Sequence, residues 1–418
     1  MRSTWTPPLA VVALLAAFPA VAAAVEPAPA VAGKEQSVLR AAENNNRFAL
    51  DLYARLRTTP GNLLASPYGI ASAFALAYPG AHGETAAQLA RALHLGPRDD
   101  HTYAALGALA KTINDAGKAG DFQLSTANAL WGQEGVELLP AYLEIVDEHF
   151  GAALRRVDFK ASPDAARGVI NQWVEAQTHD KIKDLLKKGD VNSSTRLVLT
   201  NAVYMKAGWA EPFAKSQTKD EPFFVDRTRR ATVPMMHRTG DYNYVDAGTY
   251  AVIELPYRRF ALSMAVILPK PADVATCDGV AALAEVEAEF SLDRLAQMKS
   301  ANIELALPKF KFENRFALKK TLAALGVVDA FQSEIADFSG MTGRRDFSID
   351  EAVHQTYIDV NEEGTEAAAA TAIMMRSAAI RVPKPPIPFR VDHPFMFLIR
   401  ETTTGCVLFT GRVTNPGG

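Results

Sequence analysis

The order of its periodicities constrains this 418-residue chain most: helical spacing gathers early and strand-like alternation late, with no βαβ rhythm between them. Over 38–57, Ala49, Leu52, Tyr53 and Leu56 recur at helical spacing and are stopped by "TTPG". "GIASAFALAY" predicts a short apolar helix ended by Pro79-Gly80. A third helix is expected over about 163–178, with Ala166, Val169, Ile170, Trp173 and Val174 on one face. Then the period changes. In "FALSMAVIL", Phe260, Leu262, Met264, Val266 and Leu268 alternate with mostly smaller residues, predicting a strand with one packed face. "TRLVLTNAVYMKAGW", "NIELALPKFKF", "HQTYIDV" and "PFMFLIRETTTGCVLFTGRV" are also strand-like, the last as a hairpin closed near Gly405. Helices first and strands later, without repeats, argue for an α+β fold rather than a doubly wound sheet. No linker divides residues 38–418, so they are expected to form one unit despite a length that would allow more.

Residues 1–24 have the pattern of a secretory signal: Arg2, an apolar run from Leu9 to Ala17, and Ala22-Ala23-Ala24 as a cleavage site. Residues 25–37 are expected to be a flexible leader, and the mature protein to be secreted, extracellular or periplasmic. Removing residues 1–24 takes away one Arg and no acid, moving the formal charge from −3 to −4. That balance, without a basic face, argues against a nucleic-acid partner. No later stretch has the ~18 uninterrupted apolar residues of a membrane span. Cys277 in a polar loop and Cys406 in the apolar "CVLF" are the only thiols, and whether they pair stays open.

Catalytic patterns are nearly absent. No nucleophile elbow, zinc-protease motif, phosphate loop or calcium loop occurs, and the eight histidines lack ligand spacing, so neither metal nor cofactor is expected. Ser216 and Lys219 match an S-x-x-K pair, with Arg238-Thr239-Gly240 a faint echo of K-T-G. However, they lie in a polar connector without the third motif of that chemistry.

The sharpest feature follows "HQTYIDV". "NEEGTEAAAATAIMMRSAAIRVPKPPIP" runs from a glycine through alanines into prolines that neither helix nor central strand tolerates. As a strand, residues 365–375 would place Thr365, Ala367, Ala369, Thr371, Ile373 and Met375 on one face, with Glu366 on the other. Such a segment could enter a sheet without burying a charge or overpacking it. Gly364 is where the chain could change direction.

With these stretches the chain resembles the serpins. "NEEGTEAAAATA" is similar to the hinge of inhibitory members and "DHPFMFLIRETTTGCVLFTGRVTNP" to their C-terminal signature. "NLLASPYGIASAFALAYPGA", "LTNAVYMKAGWAEPF" and "VPMM" follow in family order. The resemblance implies a fold of three β-sheets with eight or nine helices and an exposed reactive-centre loop at about 362–388. It implies a secreted, bacterial-like suicide inhibitor, not an enzyme, that traps a serine protease covalently. Cysteine proteases stay open as targets, a monomer that binds no membrane is expected, and a non-inhibitory binding or carrier protein is the alternative. By the same resemblance Glu362, Gly364, Thr365, Ala367 and Ala369 form the hinge. Ser66, Asn201 and His354 match a polar cluster beneath the sheet opening, with Gly69 standing where a second serine is common. Lys309 matches the partner of Glu362, near Trp209 at the sheet's upper end. The reactive bond counts to Ala378–Ala379, with Arg376–Ser377 as the alternative.

Overall fold

The computed structural model describes residues 29–120, 122–151, 154–366 and 385–417. The helices are α1 (Pro29–Leu56), α2 (Pro67–Ala77), α3 (Gly83–Ala92), α4 (Asp100–Gly120), α5 (Pro140–Phe150), α6 (Pro163–Gln177), α7 (Gly279–Glu289), α8 (Leu318–Ala324) and α9 (Ser339–Thr342). The early strands are β1 (Leu63–Ala65), β2 (Phe122–Gln133), β3 (Arg155–Val157), β4 (Leu197–Gly208), β5 (Lys219–Phe224), β6 (Arg230–Asp246), β7 (Tyr250–Pro256) and β8 (Leu262–Pro269). The later ones are β9 (Lys299–Pro308), β10 (Phe310–Ala317), β11 (Glu351–Asn361), β12 (Gly364–Thr365), β13 (Ile387–Arg390), β14 (Phe395–Glu401) and β15 (Val407–Val413). The α+β expectation holds.

Where three sheets are expected, the described strands join into two. One has the order β10-β11-β12-β4-β2-β3; the other runs β1-β15-β14-β8-β7-β6-β9-β13, with β5 on β6. The reason is β6. Its 17 residues pair with β5 at one end, with β9 through the middle and with β7 at the other, so a single long strand links two regions that would otherwise be separate. Pro234 and Gly240 do not interrupt it.

Helix α2 lies between the sheets, against β2 and β4 of one and β15 of the other. It is apolar all round, as a helix enclosed on every side must be, and buries every residue except Ser72. Ser66 caps it: its Oγ accepts the Gly69 N–H at 3.0 Å, and Pro67 takes the first helical position, where no N–H is needed. On the opposite face of the six-stranded sheet, Ala166, Ile170 and Val174 of α6 join a cluster with Val198, Ala202 and Val353.

Three expectations need correction. Strand β8 is buried on both faces, because Ala265 and Ile267 join one hydrophobic cluster while Leu262, Met264, Val266 and Leu268 join another. Phe260 is not part of it; it occupies a turn with φ +60° and is 59% exposed. Val169 is also off the packed face of α6, 50% exposed, because the stripe narrows to residues four apart. Finally, α1 begins at Pro29, so residues 29–37 of the expected leader are helical: alanines, Lys34, Glu35 and Gln36 continue the helix upstream with only Gly33 against it.

Candidate functional site

The site is the seam between β4 and β11. From Glu351↔Val198 to Tyr357↔Tyr204 these strands pair directly and in parallel. Above that point they part, and β12 lies between them, with Thr365 opposite Val360 on one side and Ala207 on the other. Strand β12 is antiparallel to both neighbours, so from Gly364 to Thr365 the chain runs down the seam. Parallel pairs are slightly weaker per residue than antiparallel ones, which makes the seam the natural line of opening.

At the upper end the hinge is held by charge and aromatic contact. The Glu362 carboxylate accepts from Lys309 Nζ at 2.9 Å and from Thr218 Oγ1 at 2.8 Å. Burial pushes this carboxyl's pKa up, but those hydrogen bonds more than reverse it, leaving it below its ordinary value. The Trp209 indole donates to Asn361 O at 3.0 Å, and its ring stacks on Tyr257 with centroids 4.6 Å apart. The Tyr257 hydroxyl in turn meets Thr365 Oγ1 at 2.7 Å. Thr365 is thus buried and bonded, as its small size allows. Gly364 does more than turn the chain. Its φ is +149°, and a Cβ there would stand 2.1 Å from Ala207 O, so only glycine lets β12 come this close to β4.

Glu366 departs from the expectation that no charge is buried. Its N–H continues the ladder to Asp359 O at 2.8 Å, and its φ is +45°. Its side chain, only 17% exposed, pairs with Lys181. It lies beside Tyr204, whose phenol is raised first by burial and then by this carboxylate. Thr365 faces Tyr257 and Glu366 faces Lys181, on opposite sides, while residues 367–375 of the expected alternation lie outside the described residues.

Halfway down the seam Ser66, Asn201 and His354 do come together. The Ser66 N–H donates to His354 Nε2 at 2.9 Å, which leaves the ring proton on Nδ1, facing Asn201 Oδ1. Burial pushes the His354 pKa down to about 3, and the bond to Asn201 offsets only part of that. Ser66 Oγ donates to Leu408 O at 2.7 Å while accepting from Gly69, so one residue both caps α2 and closes the seam. Asn201 Nδ2 bonds Asn128 Oδ1, extending the network to β2. At Gly69 a Cβ would meet Val203 Cγ2 at 2.6 Å and Asn201 Nδ2 at 2.9 Å. The room that a second serine would need is taken first by Val203 and then by Asn201.

Sequence reasoning missed Asn128, Tyr257, Lys181 and Thr218. Each comes from a distant element, and only the register 128↔201 makes Asn128 stand out from "STANAL". Ala367, Ala369, Arg376–Ser377 and Ala378–Ala379 lie outside the described residues, as do residues 1–24. Ser216 lies on an exposed turn and Lys219 opens β5, also exposed; neither lines a site that excludes water. Both thiols are free, with Cys406 buried as a small core residue. Among the described residues no cluster could hold a metal, and no helix is long and apolar enough to cross a membrane.

The comparisons agree with this geometry. Human leukocyte elastase inhibitor is 39% identical over 382 residues, covering 89% of this chain and 98% of its own length. A serpin-like protein of Thermococcus kodakarensis is 38% identical over 384 residues, 92% of this chain and 87% of its own. The solved structure of Serpin48 from Tenebrio molitor superposes with a TM-score of 0.77 at 32% identity, covering 91% of this chain and 98% of that one. Residues 43–416 match the family described as Serpin (serine protease inhibitor). With residues 43–416 matched by that family and more than a third of its residues identical to relatives aligned over most of their length, this chain belongs to the serpin family.

Proposed function

We propose that the protein is a suicide inhibitor of serine endopeptidases, acting not as an enzyme but as a substrate that changes shape. The observation that carries this reading is β12 between β4 and β11, directed down the seam. A protease cutting the loop beyond it forms an acyl-enzyme. The freed arm then continues the ladder that Gly364 and Thr365 have begun, and the bound protease travels with it. An arm of about 14 residues at ~3.3 Å each spans roughly 46 Å, comparable with a compact chain of this size. About a dozen new ladder hydrogen bonds at ~1 kcal/mol net each favour insertion by on the order of 10 kcal/mol. The uncut state is therefore a kinetic trap.

The reactive bond is Ala378–Ala379 in this reading, with Arg376–Ser377 as the alternative, on a loop exposed to solvent. Alanine suits a protease with a shallow pocket, and the name of the human relative points to an elastase-like target. Export through residues 1–24 would yield an extracellular or periplasmic, bacterial-like, monomeric inhibitor. Cysteine proteases belong in the same test. Incubating residues 25–418 with a panel of serine and cysteine proteases is expected to give at least one denaturant-resistant covalent complex. Mass spectrometry of the released C-terminal peptide fixes the bond. Clean cleavage by every enzyme, without complex, would instead support a non-inhibitory carrier.

A further inference from the structure

The prolines of "PPIPFR", residues 385–390, lie at one end of the nine-stranded sheet. In its main order that sheet ends on β1, which is buried throughout, and on β13, where Ile387, Pro388 and Arg390 are exposed. An open edge offers unpaired N–H and C=O groups to any extended chain and so invites association. Strand β13 pairs in parallel with β9, from Ile387↔Ile303 to Arg390↔Ala306. Just past it, the Val391 N–H donates to Ala306 O at 2.8 Å. Backbone groups alternate sides along a strand, so the N–H groups of Phe389 and Ile387 also point to β9, and positions 388 and 390 point outward. Position 388 is a proline: it has no N–H to offer on the outer side, and the ladder to β9 needs none from it. Pro386 continues the same alternation one step upstream. Of the outward positions 386, 388 and 390, only Arg390 can donate.

We propose that Pro386 and Pro388 close the outer edge of β13 to a strand from a second copy of this chain. Residues 365–375 have the alternation of a strand, so the arm of one molecule is a ready extension for the sheet of another. An incoming strand would bond at positions 388 and 390 in turn. At Pro388 its carbonyl would meet a ring in place of a donor and be left unpaired, which is costly. Within the molecule nothing is lost, because the missing N–H faces away from β9. The identity of the excluded strand rests on the inhibitory reading; closure of the edge does not, and it is measured without a protease.

The test holds residues 25–418 and two variants at the same interval below each protein's own melting temperature and follows the monomer by size-exclusion chromatography. Pro388→Thr gives the edge a strand-forming residue with an outward N–H. It is expected to lose monomer about fivefold faster or more, the size of one neutral hydrogen bond, at a rate that rises with protein concentration. Pro385→Thr, one position out of phase, removes a proline without opening the edge and is expected to leave the rate unchanged. Equal rates for Pro388→Thr and the unaltered protein, or equal acceleration by Pro385→Thr, would overturn the proposal. Amide hydrogen exchange on the unaltered protein tests the edge should a variant fail to fold. The Arg390 N–H is expected to exchange about tenfold faster or more than those of Phe389 and Val391, and an equally protected Arg390 would overturn the proposal.

Discussion

The two ends of the β4–β11 seam are closed by different chemistry. At the top, Glu362 and Glu366 meet Lys309 and Lys181, whose side chains are each 36% exposed, beside an aromatic stack. In the middle, the network is uncharged, with Ser66, His354 and Asn201 fully buried and Asn128 half-buried at its edge. Partly solvated ion pairs contribute little and can be exchanged with water. A neutral network in the interior is worth keeping only if every member is satisfied, and its loss is costly. The upper end is therefore adjustable and the middle is a lock, and β12 ends at the boundary between them.

Cutting the arm between residues 374 and 381 tests the whole contrast and carries the largest expected effect. Insertion worth on the order of 10 kcal/mol is expected to raise the melting temperature by about 10 °C or more. An unchanged transition in differential scanning calorimetry would mean that the lock never opens.

Thr365→Arg attacks the upper end. The buried hydroxyl beside Tyr257 leaves no room for a guanidinium, which would also be desolvated without a partner. The variant is expected to become a substrate, with the ratio of cleaved protein to covalent complex rising tenfold or more in denaturing gels. Unchanged inhibition would show that insertion does not pass through this position.

Acid should act on the middle. His354 titrates near pH 6.5 when unfolded but only near 3 in place, so its neutral form supplies stability that is full above pH 6.5 and lost as pH falls toward 3. The slope within that window is up to about 1.4 kcal/mol per pH unit. His354→Gln is expected to start less stable and to lose less stability between pH 7 and 5 in urea titrations. Parallel slopes for the two proteins would remove His354 from the lock.

The smallest effect belongs to Lys309→Met. With the Glu362 bond to Thr218 retained and the ion pair near the surface, a loss of about 1 kcal/mol or less is expected in urea titrations, accompanied by a change in complex-formation rate. A loss above about 3 kcal/mol would make the upper end as rigid as the middle.

What was legible in the sequence follows from the range of the forces involved. The strand-like composition of β4, β11 and the β14–β15 hairpin, and the small residue at Thr365, are local and were visible. Ser66, Asn201, His354, Lys309 and Trp209 were visible only through resemblance, since each alone suits an ordinary cap, strand or core. Tyr257 and Asn128 were hidden, because neighbours in space come from registers that no short stretch encodes. Lys181 escaped for a related reason: the alternation assigned Glu366 a face but could not say what covers that face. Strand β6 was not read from the sequence at all, where Pro234 and Gly240 suggest breaks that pairing with β5 and β9 overrides.

The position of β12 has a kinetic consequence. Starting a strand is the slow part of adding one, because loop closure must be suffered before any bond rewards it. Here that start is built into the uncut molecule, and what remains after the cut is elongation residue by residue. The contest with deacylation is then decided by how fast seven parallel pairs come apart, from Tyr357↔Tyr204 to Glu351↔Val198, and not by any search for the entrance.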